Sequence, residues 1–192
     1  MTFSRTSQPT GHELARRVAQ FRNELRAIGE PPSQTTVDRL VVLAKQLGLS
    51  DEEVSGDLAE LRACAEEFEL TSRLAHGQVP DSEPLDPLPA GERCHFVCAV
   101  RFGRRRADQV GHLVLASGRL QFRGALDVSV AWGEVSGIRR EGREIIASLQ
   151  ASRRVLRFSC QSLTEAVSGA AIAAHLARTQ RASSDSECHA SM

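Results

Sequence analysis

The sequence lacks the features by which proteins are exported or inserted into a membrane. Its N-terminus, Met1 to Pro9, has no apolar run of signal-peptide length, and no stretch approaches the ~18 uninterrupted apolar residues of a transmembrane helix. The chain has five cysteines, an odd number, without the regular spacing of a disulfide scaffold. We therefore expect a cytoplasmic protein with reduced thiols.

Catalytic sequence motifs are also missing. The chain has no phosphate-binding loop, no nucleophile elbow and no metal-ligand pair, so we expect neither an enzyme nor a bound cofactor. Aromatic residues make up only 4% of the chain, and the hydrophobic pattern around them assigns them to a core. Because this leaves no stacking surface and no recognition motif, nucleic acid is not an expected partner.

Charge is unevenly distributed, although the formal net charge is zero. Residues 1–89 hold 9 Lys+Arg against 15 Asp+Glu, residues 90–178 hold 14 against 7, and the remaining tail holds 1 against 2. A basic half can attract an anionic partner, and it can equally receive the acidic half of the same chain. The third interpretation is that the acidic and the basic faces are each exposed to solvent and have no partner.

The first part of the chain, residues 10–75, predicts three amphipathic helices. Thr10 and Glu13 form a capping box at the first, and apolar residues at steps of three and four give each helix one stripe. The third stripe extends to Phe68, while acidic residues between positions 51 and 69 occupy the other faces. No helix can bury its stripe alone, so we expect an acidic three-helix module.

Three segments outside the predicted domains have the composition of linkers or tails. Residues 76–90 hold four of the seven prolines and are incompatible with a regular helix or a central strand, which predicts a proline-rich linker. Residues 1–9 and the serine-rich residues 179–192 carry no periodic apolar pattern. We expect both ends to be disordered.

Residues 91–178 predict seven short strands and a C-terminal helix. Every second residue from Cys94 to Phe102 is apolar, and similar short alternating runs recur between glycine-containing turns. The pattern assigns Trp132 to the core and is interrupted near Gly137, where a β-bulge would restore it. We therefore expect an α+β fold in which three helices precede a seven-stranded antiparallel barrel or sandwich with a C-terminal capping helix.

Two stretches of this region carry a family resemblance. Gly111-His-Leu-Val-Leu-Ala-Ser-Gly-Arg-Leu-Gln-Phe and Val130-Ala-Trp-Gly-Glu-Val-Ser-Gly-Ile, with the final strand and helix, resemble GRAM-like domains and bacterial pleckstrin-homology (PH)-like domains over residues 91–178. A weaker resemblance links Leu47-Gly-Leu-Ser-Asp-Glu-Glu-Val to tellurite-resistance-type helical domains. The PH resemblance implies a frame whose loops and edges bind proteins, peptides or lipid headgroups.

Arginines around the predicted first loop form a tentative anion-binding site. In the PH fold, many lipid-binding members gather basic side chains in the loop between the first two strands, and here that loop contains Arg-Phe-Gly-Arg-Arg-Arg. Guanidinium groups make bidentate contacts to phosphate, and two more arginines are expected on the outer face of the next hairpin. The predicted site consists of Arg101, Arg104, Arg105, Arg106, Arg119 and Arg123.

A zinc site at Cys94, His95 and Cys98 is the competing interpretation of the first strand. On a strand the two cysteines are ~13 Å apart, whereas two thiolates on one zinc ion lie within ~4 Å of each other. His95 also points to the opposite face. We therefore expect buried structural cysteines and no metal.

These features predict a non-catalytic binding or scaffolding protein whose PH/GRAM-like domain contacts another protein. The alternative is peripheral binding to anionic membrane lipid headgroups through residues 101–106, with autoinhibition by the acidic helices. No pattern specifies an oligomeric state.

Overall fold

The chain forms two compact units with an α+β fold, as predicted. The computed structural model describes residues 11–29, 32–103, 109–150 and 154–189. The units are Met1–Phe68 and Glu69–Met192, so their boundary lies before the proline-rich segment. No helix in the described part of the chain is both long and apolar enough to cross a membrane.

Three helices build the first unit, and the third continues into the second unit. They are α1 (Gly11–Arg26), α2 (Gln34–Gln46) and α3 (Asp51–Ala75). The α2 helix begins after Ser33, whose hydroxyl accepts a hydrogen bond from the Thr36 amide. At the start of α3, the Glu53 carboxylate accepts a hydrogen bond from the Ser50 amide at 2.6 Å.

The core of the first unit lies between the apolar stripes of these helices. Phe21 of α1 is fully buried and packs with Leu40 of α2 and Leu58 of α3. The prediction for Phe68 was wrong, because its side chain is 54% exposed. The buried side of α3 changes at this point, and Leu70 and Leu74 belong to the core of the second unit.

The second unit is a seven-stranded antiparallel sheet followed by one helix. Its elements are β1 (Cys94–Phe102), β2 (Gln109–Ala116), β3 (Arg119–Gly124), β4 (Val128–Ala131), β5 (Val135–Glu141), β6 (Glu144–Leu149), β7 (Val155–Cys160) and α4 (Leu163–His189). The strand order is β4-β3-β2-β1-β7-β6-β5, so two meanders meet where β1 pairs with β7. Within the described residues, β4 and β5 are edges, so the sheet is open rather than a closed barrel.

The core of this unit follows the predicted alternation. Phe102 stacks on Phe122 and Phe158, with ring centroids 4.8 and 5.2 Å apart respectively. Trp132 is fully buried, as predicted, and its indole Nε1–H donates to the Ala116 carbonyl at 2.8 Å. The predicted bulge is also confirmed, because the β5–β6 register shifts between Val135 and Gly137.

The α4 helix packs closely on the core side of the sheet. A Cβ at Gly169 would lie 2.6 Å from Ile145 Cδ1 and 2.9 Å from Phe96 Cε1, so any larger residue there would force these side chains to shift. The helix was expected to end at position 178 with disorder beyond it, whereas α4 continues to His189. In the added turns, Arg181 donates to the Ala177 carbonyl and to the Ser136 carbonyl of β5, which joins this part of the helix to the sheet.

Gly111 on β2 offers a test of this packing. A Cβ there would lie 2.2 Å from the Arg123 carbonyl oxygen and 2.7 Å from the Phe122 ring, so β2 and β3 would have to separate. We expect Gly111→Ala to lower the free energy of unfolding by about 1–3 kcal/mol. The measurement is urea unfolding followed by the fluorescence of Trp132, the single tryptophan.

The matched control is Gly137→Ala in β5, where a Cβ meets nothing within 4 Å. This variant should change the free energy of unfolding by less than about 1 kcal/mol. Equal losses in the two variants would contradict the β2–β3 packing.

Candidate interaction groove

The proline-rich segment packs along the first strand of the sheet. Ser82 donates from its amide to the Cys94 carbonyl at 2.8 Å and from its hydroxyl to the His95 carbonyl at 3.1 Å. The His95 ring contacts the Pro80 carbonyl at 2.8 Å and the Ser117 hydroxyl at 3.1 Å. His95 is thus buried with both ring nitrogens satisfied, which gives it a structural role that alternation did not predict.

A groove of about 670 Å³ crosses the outer face of the sheet where β2, β1, β7 and β6 lie side by side. Arg101 lies opposite Val110 on one side and Ser159 on the other, and Ser159 lies opposite Glu144. These four residues therefore form one row across four strands. Ala99 and Gln161 line the next row, and Arg143 closes the groove from the β5–β6 turn.

Strand alternation explains why these residues face outward. Val100 of β1 pairs with Cys160 of β7, and both are buried. Phe102 of β1 pairs with Phe158 of β7, and both belong to the core. Because successive side chains point to opposite faces, the residues between these pairs lie on the outer face. The core-facing residues fix the strands in place, so the residues between them line the groove.

The carboxylate in the groove is already neutralised. Arg157 Nη1 lies 2.8 Å from Glu144 Oε2 and 3.1 Å from Glu141 Oε2, and the Ser159 hydroxyl donates to Glu144 Oε1 at 3.2 Å. Since Glu144 has these partners, it does not compensate the positive charge of the remaining arginines.

The two arginines that border the groove have no carboxylate partner among the described residues. Arg143 Nη1 donates to the Gln161 backbone carbonyl at 3.2 Å, and no ion pair or side-chain hydrogen bond joins Arg101 to the described part of the chain. Val110, next to Arg101, is 73% exposed. The groove therefore combines an exposed apolar side chain with arginines that no described carboxylate neutralises.

The predicted anion site does not form one free arginine cluster in the described residues. Arg101 lies in the groove, but Arg119 contacts Glu92 through Nε at 2.8 Å and Nη2 at 2.7 Å. Arg123 contacts Asp127 at 3.1 Å. Arg104, Arg105 and Arg106 lie outside the described residues, so the site as a whole stays a prediction.

Sequence reasoning missed most of the groove. Arg143 was expected only as part of a basic rim beside the turns, whereas Glu144 of β6, Ser159 of β7 and the following Gln161 were not expected near β1, where the strand register brings them. Val110 could have been identified from the sequence. It is an apolar residue at a position of β2 that alternates away from the core, because Leu113 and Leu115 face the core.

The cysteines of the sheet are buried, as predicted. Burial raises the pKa of the Cys94 thiol. A hydrogen bond with Cys160, together with burial, raises the pKa of Cys98, and the same hydrogen bond lowers the pKa of Cys160. Within the described ranges, no three His, Cys, Asp or Glu side chains are grouped as they would be around a metal ion.

The second unit has a PH-like fold: two antiparallel meanders of four and three strands, joined through β1 and β7, with a helix after the last strand. No protein-family profile matches the sequence, and no curated protein matches it. The GRAM-like resemblance therefore stays a prediction.

Solved structures show only a distant likeness. The C-terminal domain of an unknown protein from Leishmania infantum is 16% identical, with 45% of this chain and 86% of that chain covered and a TM-score of 0.39. The linker-DH/PH domains of p115-RhoGEF, N-terminally truncated, are 12% identical, with 88% of this chain and 54% of that chain covered and a TM-score of 0.41. At this level of likeness, no function transfers to the chain.

Thiol labelling tests the burial of the cysteines. We expect iodoacetamide to modify the exposed Cys64 quickly and Cys98 roughly a hundredfold more slowly, because Cys98 reacts only when the sheet opens. Peptide mass spectrometry at timed intervals measures both rates in one sample. In urea the two rates should converge, whereas similar rates in native buffer would contradict the buried position of Cys98.

Proposed function

We propose that the PH-like unit is a non-catalytic binding module that contacts a partner protein across the groove. The observation that carries this proposal is the pairing of exposed Val110 with exposed Arg101 on adjacent strands, where Arg101 has no carboxylate partner among the described residues. Exposed apolar side chains next to arginine are typical of protein interfaces, where arginine is enriched and other charged residues are depleted.

The polar groups of the groove support binding rather than catalysis. Ser159 donates its hydroxyl hydrogen to Glu144, and the same carboxylate is paired with Arg157. No histidine lies against the Ser159 hydroxyl among the residues that line the groove, so the described contacts do not include the nucleophile–base pair of a hydrolase. The histidines His95 and His175 are not among the residues that line the groove.

Membrane binding through residues 101–106 is less well supported by the described residues. Two of the predicted site arginines, Arg119 and Arg123, already have carboxylate partners. A lipid headgroup would have to compete with these ion pairs, whereas a partner protein can bury Val110 and use Arg101 without breaking any described contact.

Site-specific photo-crosslinking tests the proposal in the full chain. A photoreactive amino acid at position 110 should form discrete crosslinked protein products in cells, because this side chain is at the proposed interface. The matched control carries the same group at Ser129, an exposed position on the β4 edge strand. We expect the products at position 110 to fall about tenfold when Arg101→Glu is added, the equivalent of about 1.4 kcal/mol.

Vesicle co-sedimentation tests the alternative that the protein binds anionic membranes. We expect no difference between phosphatidylcholine vesicles with and without phosphatidylserine at physiological ionic strength. Equal crosslinking at positions 110 and 129, or binding to the anionic vesicles that Arg101→Glu abolishes, would overturn the proposal.

A further inference from the structure

We propose that the groove recognises an acidic, extended segment of its partner protein, with carboxylates on Arg101 and Arg143 and an apolar side chain on Val110. This inference rests on the proposed function, because it names the chemistry of the partner at the same site. Its evidence is the charge and spacing of the groove residues.

The charge balance of the groove favours a negative occupant. Glu144 is shared by Arg157 and Ser159, so it is satisfied within the sheet. Arg143 is exposed and has a backbone carbonyl, rather than a carboxylate, as its partner in the described part of the chain. Arg101 is exposed as well and has no carboxylate partner among the described residues. A negatively charged segment would supply the missing counter-charges.

The direction of the groove favours an extended occupant over a compact one. The register places Val110, Arg101 and Ser159 on consecutive strands, and neighbouring strands lie ~4.8 Å apart. Val110 and Arg143 therefore mark opposite sides of a surface that crosses several strands. An extended chain repeats its side chains every ~6.6 Å on one face, so one segment can reach both the apolar and the basic part of the groove.

The remaining lining residues are compatible with such a segment. Ala99 has a small side chain, which leaves room for a peptide backbone above β1. Gln161 is exposed, and its amide can donate to and accept from a passing backbone. The groove thus provides apolar contact, hydrogen bonds and charge in one place, and the ion pair from Arg157 prevents Glu144 from repelling the ligand.

The experiment titrates two synthetic peptides into the isotope-labelled full chain and follows the NMR signals of the valine methyl groups and the arginine side chains. The first peptide alternates glutamate with serine and valine, and the second replaces every glutamate by glutamine. We expect the glutamate peptide to shift Val110, Arg101 and Arg143 saturably, and the glutamine peptide to bind at least about tenfold more weakly.

Single substitutions test which arginines bind the carboxylates of the peptide. Arg101→Gln and Arg143→Gln should each weaken binding of the glutamate peptide about tenfold. The matched control is Arg140→Gln, an exposed arginine that donates to the Gly142 carbonyl at 3.1 Å and does not line the groove. This control should change the affinity by less than about twofold, and the Trp132 fluorescence of all three variants should match the parent.

The outcomes separate this inference from the proposed function. Crosslinking at position 110 together with equal binding of both peptides would overturn the acidic specificity and leave the protein-binding role intact. Absence of crosslinking at position 110 would overturn both the acidic specificity and the protein-binding role. If inorganic phosphate shifted Arg101 and Arg143 while the glutamate peptide did not, the groove would be a phosphate site and the inference would be wrong.

Discussion

The pairing of β1 with β7 is the contact on which the sheet depends. Each meander can form from local hairpins. In the described part of the chain, the ladder between the two halves pairs Val100 with Cys160, Arg101 with Ser159 and Phe102 with Phe158, and the Gly103 amide donates to the Arg157 carbonyl beside it. The same short ladder has a core side and an outer side. On the core side it brings Phe102 against Phe158, and on the outer side it brings Arg101 next to Ser159. Core stability and the groove therefore have one structural origin.

The α4 helix reinforces this junction from the core side. Its approach at Gly169 places it against Ile145 of β6 and Phe96 of β1, which belong to different meanders. A helix that contacts both halves resists their separation, because opening the sheet would expose apolar surface on β1, β6 and α4 at once. At the groove, the exposed side chains of Arg101, Val110 and Arg143 are accessible to a ligand.

Local patterns predicted much of this fold. Alternation identified the core positions of β1 and β3, the isolated tryptophan and the break near Gly137, because each depends on neighbours in the chain. The open edges were not predicted, since closure of a sheet depends on the geometry of distant strands. The exposure of Phe68 and the helical residues after position 178 were missed for a related reason. Phe68 is the last residue of the first unit, and the end of α4 contacts β5 through Arg181, so both environments depend on residues that are distant in the chain.

The site was less predictable than the fold. The sequence indicated a dense arginine loop, whereas the structure brings Arg101 together with Arg143, although four strands separate them in the chain. Arg119 and Arg123 looked equally available in the sequence, but their ion pairs with Glu92 and Asp127 depend on turns and contacts that no local pattern reveals. Charge composition indicates where basic residues are plentiful; tertiary pairing determines which of them are available to a ligand.

The most direct test of this arrangement is a nuclear Overhauser measurement on the full chain in solution. The β1–β7 ladder predicts short backbone proton distances between Arg101 and Ser159, and the groove predicts contacts from the Val110 methyl groups to the Arg101 side chain. Observation of both sets would support the junction as the origin of the groove. Absence of the Arg101–Ser159 contacts in an otherwise folded sheet would contradict it, since Arg101 would then have no row of neighbours to form a site.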